Sequence, residues 1–274
     1  MAVVLTWLLK ESGSYFSCTS DKSFTPSQED YILVGSTLFV HMMNLPCNAH
    51  SITELQINVN SLSNSFSQEI GCGAFGVLSL TNHSCNPSAA RFSHGKVVTL
   101  RAISFIKKGA EITDSYGEHY ALEMPSQRNS VLSKQYCFTC LCEPCKNNWP
   151  TYANLTSKFN LKCCKCGLIV DSKGWCISCN VTVLENMISE ENIENSFTSS
   201  DLGKHIEHIM SKYINAHTQI LAGEDSILYK DDLRCMIRFI DKYVVHPCKT
   251  YFEAQETLKH YYERLGSRVY RKDL

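Results

Sequence analysis

Three cysteines in the middle of the chain have a spacing that suits a metal ion. Cys140, Cys142 and Cys145 form a C-x-C-x-x-C motif. Three thiolates can occupy three corners of a tetrahedral zinc site, and a structural zinc needs a fourth ligand. Cys85, in the stretch NHSCNP that follows an apolar run, is the candidate for that fourth corner. The sequence therefore predicts a structural zinc that joins residue 85 to the later cysteine segment.

A second set of cysteines lies further along the chain. Cys163, Cys166, Cys176 and Cys179 form C-x-x-C-x9-C-x-x-C, the spacing of a zinc ribbon with a turn at KCGL. Neither set leaves a coordination corner open, so we predict two structural zinc ions and no catalytic one. Each zinc can supply about 10–16 kcal/mol of apparent binding energy, as much as the whole stability of a typical domain, about 5–15 kcal/mol. Residues 137–180 are therefore expected to fold only around their metals.

Composition limits the classes of function and the compartment. The chain has 274 residues, 15 cysteines and a formal net charge of −1. A charge near zero gives no basic field for nucleic acid, and no apolar run approaches the roughly 18 residues of a membrane span. Seven cysteines lie in metal-type spacings, which favours zinc thiolates in a reducing compartment over a disulfide framework. The start, MAVVLTWLLK, lacks a basic segment and favours a helix over a signal peptide. Cytoplasm and nucleus are the predicted compartments.

Several other residues could do chemistry, although each also has an ordinary structural explanation. An asparagine in CNAH could cap a helix or form a turn, and a histidine in NHSC could be a core residue with its hydrogen bonds satisfied. A tyrosine after EITDS could lie on an edge strand, and a phenylalanine among the cysteines could belong to the core. These residues are Asn48, His83, Tyr116 and Phe138.

The order of the motifs suggests a family. GCGAFGVLSLTNHSCNP (71–87), ITDSYGEHY (112–120) and YCFTCLCEPC (136–145) follow one another. Together they resemble the C-terminal half of a SET domain followed by its cysteine-rich post-SET segment, as in the SET and MYND domain-containing lysine methyltransferases. The resemblance extends from about residue 2 to 271. Because of the second cysteine set, the chain looks most similar to the fourth member of that family.

The resemblance implies a protein-lysine N-methyltransferase that uses S-adenosylmethionine. Asn48 would contact the amino-acid end of this cofactor, and Phe138 would stack on its adenine. Tyr116 would lie beside the reacting nitrogen as the catalytic residue and also border the cofactor. The remaining implied cofactor contacts are Asn82, His83 and Tyr136.

Lysine methylation explains why such residues are needed. The amine must be neutral and aligned with the transferred methyl group. Neutralising a lysine near pH 7 costs about 4.6 kcal/mol, given its reference pKa of about 10.4. A phenol that orients the nitrogen inside a narrow pocket, which disfavours the charged form, meets this need.

Two departures from the family pattern favour an alternative. Ser88 stands where the family usually has an asparagine after NHSCNP, and a hydroxyl replaces only part of an amide's hydrogen bonding. No stretch resembles the family's upstream glycine-rich loop or its MYND finger. The sequence therefore predicts a chain that begins inside the SET region, as a fragment or short form. The alternative function is a catalytically inactive SET-like scaffold that acts as a zinc-stabilised interaction module.

The predicted fold class is α+β. Apolar residues at helical spacing predict helices over 2–17, from 29 to a stop at Pro46, over 124–136 and, within 244–266, from after Pro247 to a stop at Gly266, the last resembling tetratricopeptide-like helices. VLSL (77–80) predicts a strand before the NHSC turn. The predicted regions are a helical insert (1–45), the C-terminal half of the SET core (46–122), a post-SET zinc segment (123–146), a second zinc cluster (147–185) and a C-terminal helical domain (201–274).

The predicted partner is a protein substrate that presents a lysine, either histone or non-histone. Transcription-regulatory or chaperone-type proteins are further expected partners. Nucleic acid and membranes are not expected to bind directly, because the chain offers neither a basic field nor an apolar span.

Overall fold

The computed structural model of the chain describes residues 27–56, 66–95, 97–183 and 199–265. The predicted helix over 2–17 and most of the linker after the second cysteine set lie outside these ranges. The described chain mixes helices with small sheets, in agreement with the predicted α+β class. Among the described helices, none combines the length and apolar character needed to cross a lipid bilayer.

The helices flank the cysteine segments and form the C-terminal region. The predicted helix over 124–136 is confirmed, as is the last predicted helix to the end of the described range. Their bounds are α1 (Gln28–Asn48), α2 (Pro125–Tyr136), α3 (Glu143–Lys146), α4 (Ser199–Leu221), α5 (Ile227–Tyr243) and α6 (Lys249–Leu265).

The strands form four small two-stranded sheets within the described residues. One pair is parallel, and its two strands come from the NHSC and TDSY motifs. The pairs are β1 (Ala49–Gln56) with β2 (Phe66–Ala74), β3 (Asn82–His83) with β6 (Thr113–Asp114), β4 (Ala89–His94) with β5 (Val97–Ala102), and β7 (Trp175–Cys176) with β8 (Val181–Thr182).

The chain divides into two units, and the first lies within residues 1–50 and 72–79. Helix α1 begins with a capping box, in which Asp30 N–H donates to Ser27 Oγ at 3.2 Å and Ser27 N–H donates to the Asp30 carboxylate at 2.8 Å. The prediction that Pro46 ends this helix is wrong, because α1 continues to Asn48. Proline lacks a backbone N–H, so in the last turn of α1 it removes one helical hydrogen bond and leaves the bonds of the earlier turns intact.

The predicted strand at VLSL is also wrong. Residues Leu78–Leu80 form a 3-10 turn. Ser79 N–H donates to the Phe75 carbonyl at 2.9 Å, and the Ser79 hydroxyl donates to the same oxygen at 3.0 Å. These local bonds satisfy groups that a strand would have offered to a neighbour.

The second unit, within residues 51–71 and 80–274, contains two apolar clusters. In the one nearer the NHSC motif, Cys85, Tyr120, Leu132 and Trp149 are buried with Phe252 of α6. The other joins the second cysteine set to helices α4–α6. Its buried members include Cys163, Cys176, Val183, Leu202, Ile209, Leu233, Met236, Ile240 and Leu258. Each cysteine set thus contributes buried members to an apolar core.

Two glycines of the second cysteine segment provide a test of this packing. Gly167 and Gly174 both have left-handed backbones, with φ of +76° and +78°. A Cβ on Gly167 would meet nothing within 4 Å, whereas one on Gly174 would lie 2.8 Å from Leu202 Cδ2. We expect Gly167→Ala to cost about 1–2 kcal/mol from backbone strain, and Gly174→Ala to cost at least about 1 kcal/mol more from overpacking. Thermal unfolding of the zinc-loaded variants measures both, and equal costs would contradict the packing of Gly174 against α4.

Candidate functional site

The parallel pair β3–β6 brings the NHSC and TDSY motifs side by side. Asn82 lies opposite Thr113, and His83 lies opposite Asp114. Ser84 N–H donates to the Asp114 carbonyl at 2.9 Å, which continues the pairing beyond the strands. The chain leaves β6 toward Tyr116, so this tyrosine lies close to the NHSC turn.

The imidazole of His83 bridges the two motifs with both nitrogens. Tyr116 N–H donates to His83 Nδ1 at 3.0 Å. Because Nδ1 accepts, the proton of the neutral ring is on Nε2, which lies 3.3 Å from Cys85 Sγ. Burial lowers the pKa of His83 to about 4, and the nearby Arg128 guanidinium also lowers it. The neutral ring therefore links a predicted zinc ligand to the backbone of the predicted catalytic tyrosine.

Aromatic rings surround this histidine. The Tyr116 ring lies 4.8 Å from that of Tyr136 and meets Phe138 edge-on at 6.4 Å, between ring centroids. The Phe138 ring lies 6.0 Å from His83 and is half-buried. Such a cluster provides a flat apolar surface suited to stacking with a base.

The hydroxyl of Tyr116 has a fixed direction. It donates to the Thr81 carbonyl at 2.5 Å, and Tyr136 OH donates to the Tyr116 carbonyl at 3.4 Å. Burial raises the pKa of Tyr116, and the Asp114 carboxylate raises it further. The phenol is therefore protonated at neutral pH, with its proton directed to Thr81 and its oxygen free to accept a hydrogen bond.

The first cysteine set is assembled as the sequence predicted. The four sulfurs of Cys85, Cys140, Cys142 and Cys145 lie within 4.8 Å of one another. Cys85 Sγ lies 3.9 Å from Cys140 Sγ and 3.6 Å from Cys145 Sγ. In a tetrahedron with zinc–sulfur bonds of about 2.3 Å, the sulfurs are about 3.8 Å apart. The cluster could therefore hold a zinc ion.

The acidity of these thiols also suits a cation. A hydrogen bond from Cys85 lowers the pKa of Cys142 to about 4, and the same hydrogen bond raises the pKa of Cys85. Burial raises the pKa of Cys140 to about 12. One thiolate thus forms readily while its neighbours resist ionisation beside it. A bound divalent cation removes that conflict, because it lets all four sulfurs lose their protons.

The second set is assembled in the same way. The sulfurs of Cys163, Cys166, Cys176 and Cys179 lie within 4.8 Å of one another, and Cys166 Sγ is 3.5 Å from Cys176 Sγ. Gly167 N–H donates to the Cys163 carbonyl at 2.8 Å, which forms the predicted turn. This cluster could also hold zinc.

The end of helix α2 directs the first cysteine segment. Cys137 caps the helix in a left-handed conformation with φ of 59°, so the chain reverses immediately after Tyr136. This turn places Phe138 beside His83 and leads into the three cysteines. Asn129 of the same helix accepts a hydrogen bond from Cys140 N–H at 2.7 Å, which fixes the start of the segment.

Ser88 forms hydrogen bonds through both its hydroxyl and its backbone N–H, although the family usually has an asparagine at this position. Its hydroxyl accepts from Thr113 N–H at 2.9 Å, and its own N–H donates to Thr113 Oγ1 at 3.1 Å. The serine therefore joins the end of the NHSC turn to β6. The substitution leaves this junction bonded.

The two predicted asparagine contacts have other partners in the structure. Asn82 is exposed, and its amide donates to Glu111 Oε1 at 2.6 Å. Asn48, in the first unit, donates to the Asn44 carbonyl at 2.9 Å at the end of α1. Their roles as cofactor contacts stay predictions.

Two features of the site were missed by sequence reasoning. Asp114 is 5% exposed and forms an ion pair with Arg91, whose Nε lies 3.0 Å from Asp114 Oδ2. Its other oxygen accepts from Ser115 N–H at 2.8 Å, which orients the backbone before Tyr116. His119 is buried between the rings of Tyr120 and Phe252. The carboxylate of Asp114 could have been noticed in ITDSY, but the sequence does not show that Arg91 on β4 is its partner.

Comparison with known proteins agrees with this geometry. Residues 10–117 match the sequence model of the SET domain, and this range includes β3, β6 and Tyr116. This part of the chain is similar to a SET domain. Of the first cysteine set only Cys85 lies in the matched range, and the second set lies entirely after it.

The relatives of the chain are lysine methyltransferases. It is 29% identical to the protein-lysine N-methyltransferase SMYD4 of Mus musculus over 218 residues, 78% of this chain and 26% of the mouse protein. It is 34% identical to SMYD4 of Homo sapiens over 120 residues, 43% of this chain and 15% of that protein. Similarity to the human histone-lysine N-methyltransferase SMYD3 is 36% over 109 residues, 40% of this chain and 23% of that protein.

These matches confirm the predicted relationship to the SMYD methyltransferases. The chain spans about a quarter of the length of the first two SMYD4 relatives, at 26% and 27%.

The ion pair beside Tyr116 gives a prediction with a pH dependence. Arg91→Met leaves the buried Asp114 carboxylate without its cation, and we expect it to lower the free energy of unfolding by about 1–3 kcal/mol at pH 7.5. Burial already raises the pKa of Asp114, with Arg91 opposing that shift, so its loss raises the pKa further. Protonation removes the unpaired charge, so the deficit should shrink as the pH is lowered. Denaturant unfolding at several pH values measures this.

The matched control removes the charge from both partners. Arg91→Met combined with Asp114→Asn should be more stable at pH 7.5 than Arg91→Met alone, because no unpaired carboxylate remains. A deficit that does not change with pH and is not relieved in the double variant would show that the charge of Asp114 is not what Arg91 balances.

Proposed function

We propose that this chain forms the C-terminal SET half, post-SET segment and helical region of an S-adenosylmethionine-dependent protein-lysine N-methyltransferase. The observation that carries the proposal is the convergence of Tyr116, Tyr136 and Phe138 around His83 within and just after the SET match. The relatives are named as protein-lysine and histone-lysine methyltransferases. A protein substrate that presents a lysine, histone or non-histone, follows as its substrate class.

The aromatic cluster fits the adenosyl group. Phe138 offers a half-buried ring beside the β3 turn, and we propose that it stacks on the adenine. The turn of Asn82 and His83 would border the same group. S-adenosylmethionine supplies an activated methyl group to the amine. The chain's own residues hold the acceptor lysine, exclude water from it and set its protonation.

Tyr116 is the proposed catalytic residue. Because its proton is directed to the Thr81 carbonyl, its oxygen can accept a hydrogen bond from the substrate nitrogen and so align the nitrogen lone pair. Its raised pKa makes it a poor base, so its role is orientation. The rings of Tyr116 and Tyr136 would form apolar walls that disfavour the charged ammonium.

We further propose that each cysteine set binds one structural zinc ion. Their sulfur separations support tetrahedral sites, and both sets lie in apolar cores. Transcription-regulatory or chaperone-type proteins are proposed as further partners, and cytoplasm and nucleus as the compartments, because cysteine thiolates of this kind persist in reducing surroundings.

One test of this proposal separates methyl transfer from cofactor binding. Tyr116→Phe should lower methyl transfer to lysine about 10²–10⁴-fold while leaving S-adenosylmethionine affinity within about threefold, because only the orienting hydroxyl is lost. Radiolabelled methyl transfer to a histone mixture measures the first effect, and calorimetry measures the second. Tyr152→Phe, at an exposed tyrosine bonded to Glu253, is the control and should retain full activity.

Unchanged turnover in Tyr116→Phe would refute the catalytic assignment. Phe138→Ala tests the cofactor site separately, because loss of about 1–3 kcal/mol of stacking should weaken S-adenosylmethionine binding about 5–150-fold. A wild-type chain that binds no cofactor and transfers no methyl group would support the scaffold function in place of the enzyme.

Another test of this proposal concerns the metal content of the chain. The purified chain should contain two zinc ions, and Cys142→Ser or Cys176→Ser should each reduce the content to one, because three thiolates leave a structural site incomplete. Atomic emission on desalted protein measures this. One ion or none in the wild type, or two ions in either variant, would contradict the assignment of the two sites.

A further inference from the structure

Arg128 is a buried cation placed directly on the first cysteine set. It lies on α2 and is 3% exposed. Its Nη2 donates to Cys145 Sγ at 3.5 Å, and its Nη1 donates to the carbonyls of Tyr120, at 3.4 Å, and Glu123. Carbonyl oxygens satisfy N–H groups but carry no net charge. Within the described part of the chain, the groups that can balance this guanidinium are the sulfurs of Cys145 and Cys85, and a buried ion without a counter-charge is unfavourable.

The charge of an occupied cluster matches this arrangement. Four thiolates and one divalent zinc ion carry a net charge of −2. One buried guanidinium offsets half of it and favours the thiolate form of the sulfur that it contacts. Zinc sites commonly depend on such outer partners, whose loss weakens metal binding about 10–100-fold.

The second cysteine set has different surroundings. The sulfurs of Cys166 and Cys176 lie 3.5 Å apart. Cys166 is exposed to solvent, whereas all four members of the first set are buried or half-buried. The chain thus contains two sites with the same ligands, one of which has a buried cation against it.

We propose that Arg128 is a positioning residue for the metal of the first cluster. Its buried positive charge, 3.5 Å from Cys145 Sγ, offsets part of the negative charge of the occupied cluster and makes this the slowly exchanging site of the two. The second cluster, more exposed and without this cation, gives up its zinc first. The inference depends on the zinc binding proposed above, and it is independent of methyl transfer.

Cysteine-resolved labelling of the zinc-loaded full chain tests the proposal. Excess EDTA is added, samples are pulsed with iodoacetamide, and mass spectrometry follows each cysteine peptide with time. In the wild type, Cys163–Cys179 peptides should be labelled before those of Cys140–Cys145. Arg128→Gln should accelerate labelling of the first set about 10–100-fold, and leave the second set within about twofold.

Two further variants separate charge from structure. Arg128→Lys keeps the charge and should restore labelling of the first set to within about threefold of the wild type. Asn129→Ala removes the neutral hydrogen bond from the same helix to Cys140 N–H and should have a smaller effect than Arg128→Gln. Zinc content before chelation is measured for every variant, so that the starting occupancy is known.

Three results would overturn the inference. These are equal acceleration by glutamine and lysine, an Asn129→Ala effect as large as that of Arg128→Gln, and acceleration of both cysteine sets together. A wild-type chain that lacks zinc in the first set would instead refute the metal assignment, and the inference with it. Failure of methyl transfer alone would leave the inference standing.

Discussion

The meeting of four sulfurs at the first cysteine set is the constraint on which the proposed site depends. Cys85 follows β3, whereas its three companions follow helix α2, and their sulfurs converge within 4.8 Å. Around this junction Tyr120 N–H donates to the Cys85 carbonyl at 2.9 Å, and Tyr116 N–H donates to His83 Nδ1 at 3.0 Å. A metal bound by these four sulfurs would hold together two segments that are distant in sequence.

The surroundings of the site keep its aromatic part uncharged at neutral pH. Burial lowers the pKa of His83 to about 4 and that of His119 to about 3, and it raises the pKa of Tyr116. The ionised groups are placed at its borders, with Arg91 on Asp114 and Arg128 on the cysteine sulfurs. An environment of neutral rings disfavours an ammonium ion, which is what transfer to a neutral lysine amine requires.

The sequence was informative where chemistry depends on short spacing. The two cysteine sets and the helix over 124–136 could be recognised because each is a local pattern with a physical meaning, whereas the roles of the aromatic residues near Tyr116 came from the family resemblance. The parallel pairing of β3 with β6 and the contact of Arg128 with Cys145 could not, because they depend on how distant segments pack. The wrong predictions at Pro46 and VLSL have a local cause. Backbone hydrogen bonds within one turn outweighed the tendency of proline to end a helix and of VLSL to form a strand.

The most direct test of this account is hydrogen exchange at single-amide resolution, with the zinc-loaded chain compared with Cys142→Ser. We expect the amides of Ser84, Tyr116 and Tyr120 to lose protection in the variant, because in each of these hydrogen bonds the donor or the acceptor belongs to residues 83–85, the turn held at the first cluster. Amides of α4 and α5, which pack on the second cluster, should keep theirs. Unchanged protection at the three amides would show that the site holds its shape without the first cluster, and would contradict the account.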